Sequence, residues 1–166
     1  MDNAAAMHKA ARLLRVVLEG EALTRLSPIL EADRAQAVKD LEAENYFAPV
    51  GTKMRAPGPY TLHLSIQEGR LVLDLRTAED APLASILLAL GPFRGLIKDY
   101  QLLVDSHAKA VEEGRAERIQ AIDMGRRGLH NEGAELMMQR LLGKVEIDFE
   151  TARRLFTLLC VLHQRI

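Results

Sequence analysis

The densest gathering of reactive side chains in this 166-residue sequence is Asp123-Met124-Gly125-Arg126-Arg127-Gly128-Leu129-His130-Asn131-Glu132-Gly133. Guanidinium, imidazole, amide and carboxylate groups stand there among glycines, which let backbone N–H groups approach a ligand closely. Asn131 is placed to cap a helix beginning just after it. The positive end of that helix would then lie beside Arg126, Arg127 and His130, and helix N-termini and arginine forks both suit phosphate or carboxylate. The segment is therefore a candidate anion site. Arg126 and Arg127 supply charge, His130 can carry a proton, and Asn131 and Glu132 complete the ligand-binding set. A competing reading makes the same residues an internal ion-pair network. Asp123 and Arg127 are four apart, as are Arg126 and His130, and Glu132 and Glu135 are near enough to neutralise the arginines. No GxxxxGK[ST] loop occurs, and no strand leads into GxGxxG.

Other reactive residues make weaker cases. His63 falls on the polar face of an alternating strand, His107 on an apolar helical stripe, and His163 after an apolar helix. None has a metal-ligand partner at i+4 or in HExxH, so no metal site is expected. The single cysteine, Cys160, lies inside Leu158-Leu159-Cys160-Val161-Leu162 and reads as an inert core thiol. No GxSxG elbow or other nucleophile–base pair is present, so no catalytic residue is assigned. Arg153 and Arg154 are expected to pair with Asp148 and Glu150. Arg94 would join an anion pocket if the fold carried it to residues 126–130.

The elements that must position these groups follow from periodicity and punctuation. The run 13–18 is β-branched and bounded by Glu19-Gly20, which favours a strand. Ser27-Pro28 suits a helix start, with Asp33 as a second choice one turn later, and Ala35, Val38 and Leu41 mark its buried face up to Asn45. Residues 46–59 carry breakers and read as a loop. Strict alternation over 60–67, a Glu68-Gly69 turn and a return over 70–76 make an antiparallel hairpin that needs a further strand, and 13–18 supplies it. Ala81 to Leu90 is expected as a short helix, and the stripe Leu96, Ile97, Tyr100, Leu103, Val104, His107, Ala108, Val111 as a longer one. Residues 116–124 and 134–142 read as separate helices flanking the glycine-rich 125–133. Val145 to Asp148 is expected to add a short strand, and Asp148 or Glu150 then caps a last helix apolar nearly all round over 155–162.

Length and a 48% apolar content suit one domain with an aliphatic core, since aromatics make up 4% and Trp is absent. Lysine and arginine number 22 against 23 aspartates and glutamates, a balance unlike that of a dedicated nucleic-acid binder. The apolar stretch 81–93 is interrupted by Pro82 and Pro92 and is too short to span a bilayer. Residues 1–11 lack a secretory apolar region; Lys9 and Arg12 give only a faint transit-peptide spacing, without its serines. The expectation is a cytoplasmic α+β protein. It has a flexible tail over 1–11 and a single domain over 12–166, in which a three-stranded antiparallel sheet (13–18, 60–67, 70–76) packs against about five helices, the C-terminal one buried.

Larger blocks of the sequence carry a resemblance. Gly58-Pro59-Tyr60, Pro92-Phe93-Arg94, Ile97-Lys98-Asp99-Tyr100 and the block from Ala121 through Gly133 resemble uncharacterised protein family 0262, a family of small bacterial proteins. Ile147-Asp148-Phe149, Thr151-Ala152-Arg153-Arg154-Leu155-Phe156-Thr157-Leu158 and Cys160-Val161-Leu162-His163 extend it over nearly all the chain beyond residue 11. Gln164 departs from the aromatic residue expected there. The resemblance implies no activity, cofactor or partner. The expectation for function is a non-enzymatic, cofactor-free protein-interaction or regulatory module, acting on a protein partner or as a homodimer, without nucleic acid or membrane. The alternative is a phosphate- or carboxylate-bearing ligand at 123–135.

Overall fold

The structure, a computed structural model, describes residues 10–20, 23, 26–51 and 57–163. Most of the expected tail (1–9), part of the 46–59 loop and Gln164 lie outside the described residues. The order is β1 (Leu13–Leu18), α1 (Pro28–Ala43), β2 (Phe47–Pro49), β3 (Tyr60–Gln67), β4 (Arg70–Thr77), β5 (Pro82–Ala89), a 3₁₀ turn (Gly91–Phe93), α2 (Arg94–Glu112), α3 (Ala116–Arg140), β6 (Val145–Ile147) and α4 (Phe149–Leu162). The class is α+β, as expected. Its sheet is mixed and four-stranded, in the order β1-β3-β4-β5, with β2 and β6 forming a separate pair.

The β3–β4 hairpin forms where alternation places it. Glu68 and Gly69 both take positive φ, the conformation that matches the twist of a two-residue hairpin. Leu62, Leu64, Leu71, Leu73 and Leu75 fill the buried face. On the other face His63 bridges Glu19 (2.7 Å) and Asp80 (2.9 Å), while Arg76 holds Asp80 and Asp74. The hydrogen bond from His63, with Arg76 beside it, keeps the Asp80 carboxyl below its ordinary range.

Three expectations need correction. First, β1 lies beside β3 but runs parallel to it, Val16 opposite Leu62. The chain between them contains α1, and a connection that crosses over through a helix returns the strand in its original direction. Second, residues 82–89 form a strand, not a helix. An apolar run of this length has no decisive period, and the free edge of β4 settles it: Val72 pairs with Leu87, Leu73 with Ile86. The reversal is locked where Thr77 N–H donates to Ala81 O at 2.9 Å and Asp80 takes φ +72. Third, α3 runs unbroken from 116 to 140 through Gly125, Gly128 and Gly133, so the described chain has four helices, not about five.

Each glycine in a helix costs about 1 kcal/mol against alanine, and here packing overrides it. A Cβ on Gly133 would stand 2.2 Å from Phe156 Cδ1, so only glycine lets α3 lie this close to α4. Helix α4 is the centre of the core: Leu155, Phe156 and Leu158 through Leu162 are buried, and Asp148 caps it by accepting from Thr151 N–H at 2.8 Å. Phe93 stacks toward Phe156 with ring centroids 6.3 Å apart. Ser27 occupies the N-cap of α1 and Pro28 its first position, without a side-chain cap bond. The loop expected over 46–59 contains β2, whose Phe47 pairs with Ile147.

Candidate functional site

The face α1 turns inward is Leu30, Ala37 and Leu41 rather than Ala35, which is exposed. Asp33 lies on that stripe between Leu30 and Ala37. On α3 the inward stripe is Ile122, Arg126, His130, Gly133, Ala134 and Met137, which follows helical spacing. Tyr100 comes from the buried side of α2. These stripes meet in one polar knot. Tyr100 donates to Asp33 Oδ2 at 2.5 Å, and Arg126 Nη2 stands 3.6 Å from Asp33 Oδ1 and 3.5 Å from Asp123 Oδ1. The His130 ring lies 5.6 Å from Tyr100 and 6.4 Å from Phe156, edge-on to the latter.

Burial governs the chemistry of the knot. It pushes the Tyr100 hydroxyl far above its ordinary value, with Asp33 adding to the rise. It pulls the His130 imidazole down to about 4, helped by Arg126 and Arg153 and opposed by Asp33. Burial also holds the Cys160 thiol protonated, so it is no nucleophile. Among the described residues Arg126 Nε and Nη1 and His130 Nε2 are buried without a hydrogen-bond partner. A neutral imidazole, a protonated phenol and an arginine facing two carboxylates tie α1, α2 and α3 together.

The five residues expected to form an anion site are thus divided. Arg126 and His130 point inward, while Arg127, Asn131 and Glu132 are exposed on the solvent side of the same helix. Asn131 caps nothing, because it sits in mid-helix. Arg94 lines a groove of about 870 Å³ with Ile97, Lys98, Gln101, Leu102, Asp105 and His163, and none of the 126–132 residues lines it. Arg153 and Arg154 pair with Glu150 at 3.0 and 3.6 Å, as expected, whereas Asp148 serves as the cap. His107 stands 3.9 Å from Asp123. Val111, expected on a buried stripe, is 54% exposed near the end of α2. Sequence reasoning missed Asp33 and Tyr100. The available signal was a charged residue within the Leu30–Ala37–Leu41 stripe.

A second feature lies at the two edges of the sheet. The Leu13–Val16 part of the outer edge of β1 is covered by α1 and the residues after it. Leu13 N–H donates to Asn45 Oδ1 (2.7 Å), Asn45 Nδ2 donates to Leu13 O (2.8 Å), and Val16 N–H donates to Glu42 Oε2 (3.3 Å). The outer edge of β5 is different. Leu90 N–H returns to Gly69 O, and Leu71 faces Leu88 as Leu73 faces Ile86. Antiparallel alternation then turns the main-chain groups of Ile86 and Leu88 toward β4 and those of Ser85, Leu87 and Ala89 outward. Among the described residues a single side chain meets this edge: Lys144, from the turn after α3, donates to Leu87 O at 2.9 Å. Ser85, Leu87 and Ala89 are exposed, Leu87 to 42%.

Among the described residues no group of three or more His, Cys, Asp or Glu side chains is arranged to hold a metal ion, and no helix is long and apolar enough to cross a membrane. No solved structure matches the chain. Curated bacterial proteins do. A UPF0262 protein of Granulibacter bethesdensis is 71% identical over 160 residues, covering 93% of this chain and 91% of its own. One from Acidiphilium cryptum is 62% identical over 155 residues, 93% of each chain. One from Bradyrhizobium diazoefficiens is 48% identical over 152 residues, 92% of this chain and 91% of its own. The family model covers residues 10–165, and the chain belongs to uncharacterised protein family UPF0262, which carries no assigned function.

Proposed function

We propose that this chain is a non-enzymatic cytoplasmic protein-interaction module that takes up an extended segment along β5. The observation that carries the proposal is the contrast between the two sheet edges. Unpaired strand edges are templates for another chain, and folded proteins ordinarily block them. Here side chains take both main-chain groups of Leu13 and the N–H of Val16 on β1, while among the described residues the outward N–H groups of β5 meet no side-chain acceptor and one carbonyl goes to a flexible lysine. Strand addition to such an edge draws affinity from main-chain hydrogen bonds and specificity from alternate side chains. β5 contains no charged residue and no proline after Pro82, so nothing within the strand repels a partner.

The ligand alternative, a small anion at residues 123–135, draws less support. Arg126 faces Asp33 and Asp123, and the exposed Arg127 is not joined there by His130. The test is Ser85→Pro, which removes an outward donor while leaving the β4 ladder whole, since proline is tolerated on strand edges. Partners captured from a bacterial lysate by the wild-type chain should be lost with Ser85→Pro and kept with Leu102→Lys, an exposed position of α2. Equal capture by the wild-type and Ser85→Pro chains would refute the edge.

A further inference from the structure

Resting on that reading, we infer that the segment docked on β5 comes from a different protein and carries a carboxylate opposite Leu87, where Lys144 receives it. A strand added to β5 must offer an N–H to Leu87 O, the atom that Lys144 now occupies. The ammonium is then displaced but stays within its own reach of the new strand. Among the described residues Lys144 has no carboxylate within ion-pair distance, even though Glu146 is two residues away. Arg70, opposite Ala89 at the same end of the edge, likewise has no ion pair among the described residues. Among the described residues the Ala89 end of the edge therefore carries two cations, Lys144 and Arg70, without an ion pair. An acidic side chain on the incoming segment exchanges the ammonium–carbonyl bond for an ammonium–carboxylate pair, in which both partners are ionised.

A second copy of this chain supplies that charge poorly. Antiparallel self-pairing about Ile86 sets Ser85 opposite the partner's Leu87, which brings the two Lys144 ammonium groups within about two residues of each other along the strands. β5 has no carboxylate to separate them. Self-pairing thus adds like-charge repulsion where a foreign acidic segment adds attraction.

The experiment titrates the full chain with three capped decapeptides of alternating Thr and Val that differ only in a central Glu, Gln or Lys. The Glu peptide should bind about tenfold more tightly than the Gln peptide, with the preference shrinking as salt rises. Lys144→Gln should erase the preference and Lys144→Glu should transfer it to the Lys peptide, while Ser85→Pro weakens all three. Equal binding of Glu and Gln peptides, abolished by Ser85→Pro, would overturn the acidic partner and leave the edge standing. A dimer in sedimentation that Ser85→Pro dissociates would do the same in favour of a second copy. No binding of any peptide, with the β5 amides unprotected throughout, would overturn both.

Discussion

Asp33 on α1 and Arg126 on α3 stand 3.6 Å apart, and the second oxygen of that carboxylate accepts the hydroxyl of Tyr100 from α2. Asp33 is 14% exposed and Arg126 17%, so the pair is held mostly away from water while a helix from each of three parts of the chain converges on it. Removing one partner of such a pair leaves an uncompensated buried charge, which costs more than the pair itself contributes. Asp33→Asn should destabilise the chain by about 2–3 kcal/mol, the residual contact with Asp123 limiting the loss. Tyr100→Phe should cost about 1 kcal/mol. Urea unfolding measures both, and a neutral Asp33→Asn would show that the knot holds nothing.

His130 gives the knot a pH dependence. Its folded value of about 4 lies below the ordinary imidazole value of 6.5. Between those values the unfolded chain binds a proton that the folded chain refuses, so stability falls as pH drops from 6.5 through 4. The full loss is about 3 kcal/mol. Unfolding midpoints at pH 7.5 and 4.5 should differ less in His130→Gln than in the wild-type chain.

Gly133 and Phe156 form the close contact between α3 and α4. Gly133→Ala drives a methyl group into the Phe156 ring and should destabilise by about 1–3 kcal/mol. Phe156→Leu in the same chain should recover part of that loss, which a double-mutant cycle reads directly.

Asn45 seals one edge of the sheet through three contacts, to Leu13 N–H, Leu13 O and Leu41 O. Asn45→Ala should cost about 2 kcal/mol by leaving those groups unpaired, and it opens β1 to other strands. Light scattering should show concentration-dependent association in this variant at protein concentrations where the wild-type chain shows none.

How far the sequence revealed this fold depended on how local each signal was. The β3–β4 hairpin is written in strict alternation and a two-residue turn, and α4 in an unbroken apolar run with Asp148 before it. Both formed where expected. β5 is an apolar run of ambiguous period whose state is decided by the edge of β4, a long-range fact that no window along the chain contains. Gly125, Gly128 and Gly133 look like a loop until Leu103 and Phe156 are known to press against two of them. That misreading put Arg126, Arg127, His130, Asn131 and Glu132 into one loop, although a helix divides them between core and solvent. Asp33 was visible as a charge on an apolar stripe. Tyr100 was placed on its buried stripe, but its partner on another helix was not.

The openness of β5 is the claim on which the functional account stands, and residue-resolved amide hydrogen exchange of the free chain tests it most directly. Ser85, Leu87 and Ala89 should exchange fast, while Ile86 and Leu88, bonded into β4, exchange slowly. Equal, strong protection of all five amides in the free chain at low concentration would contradict the account.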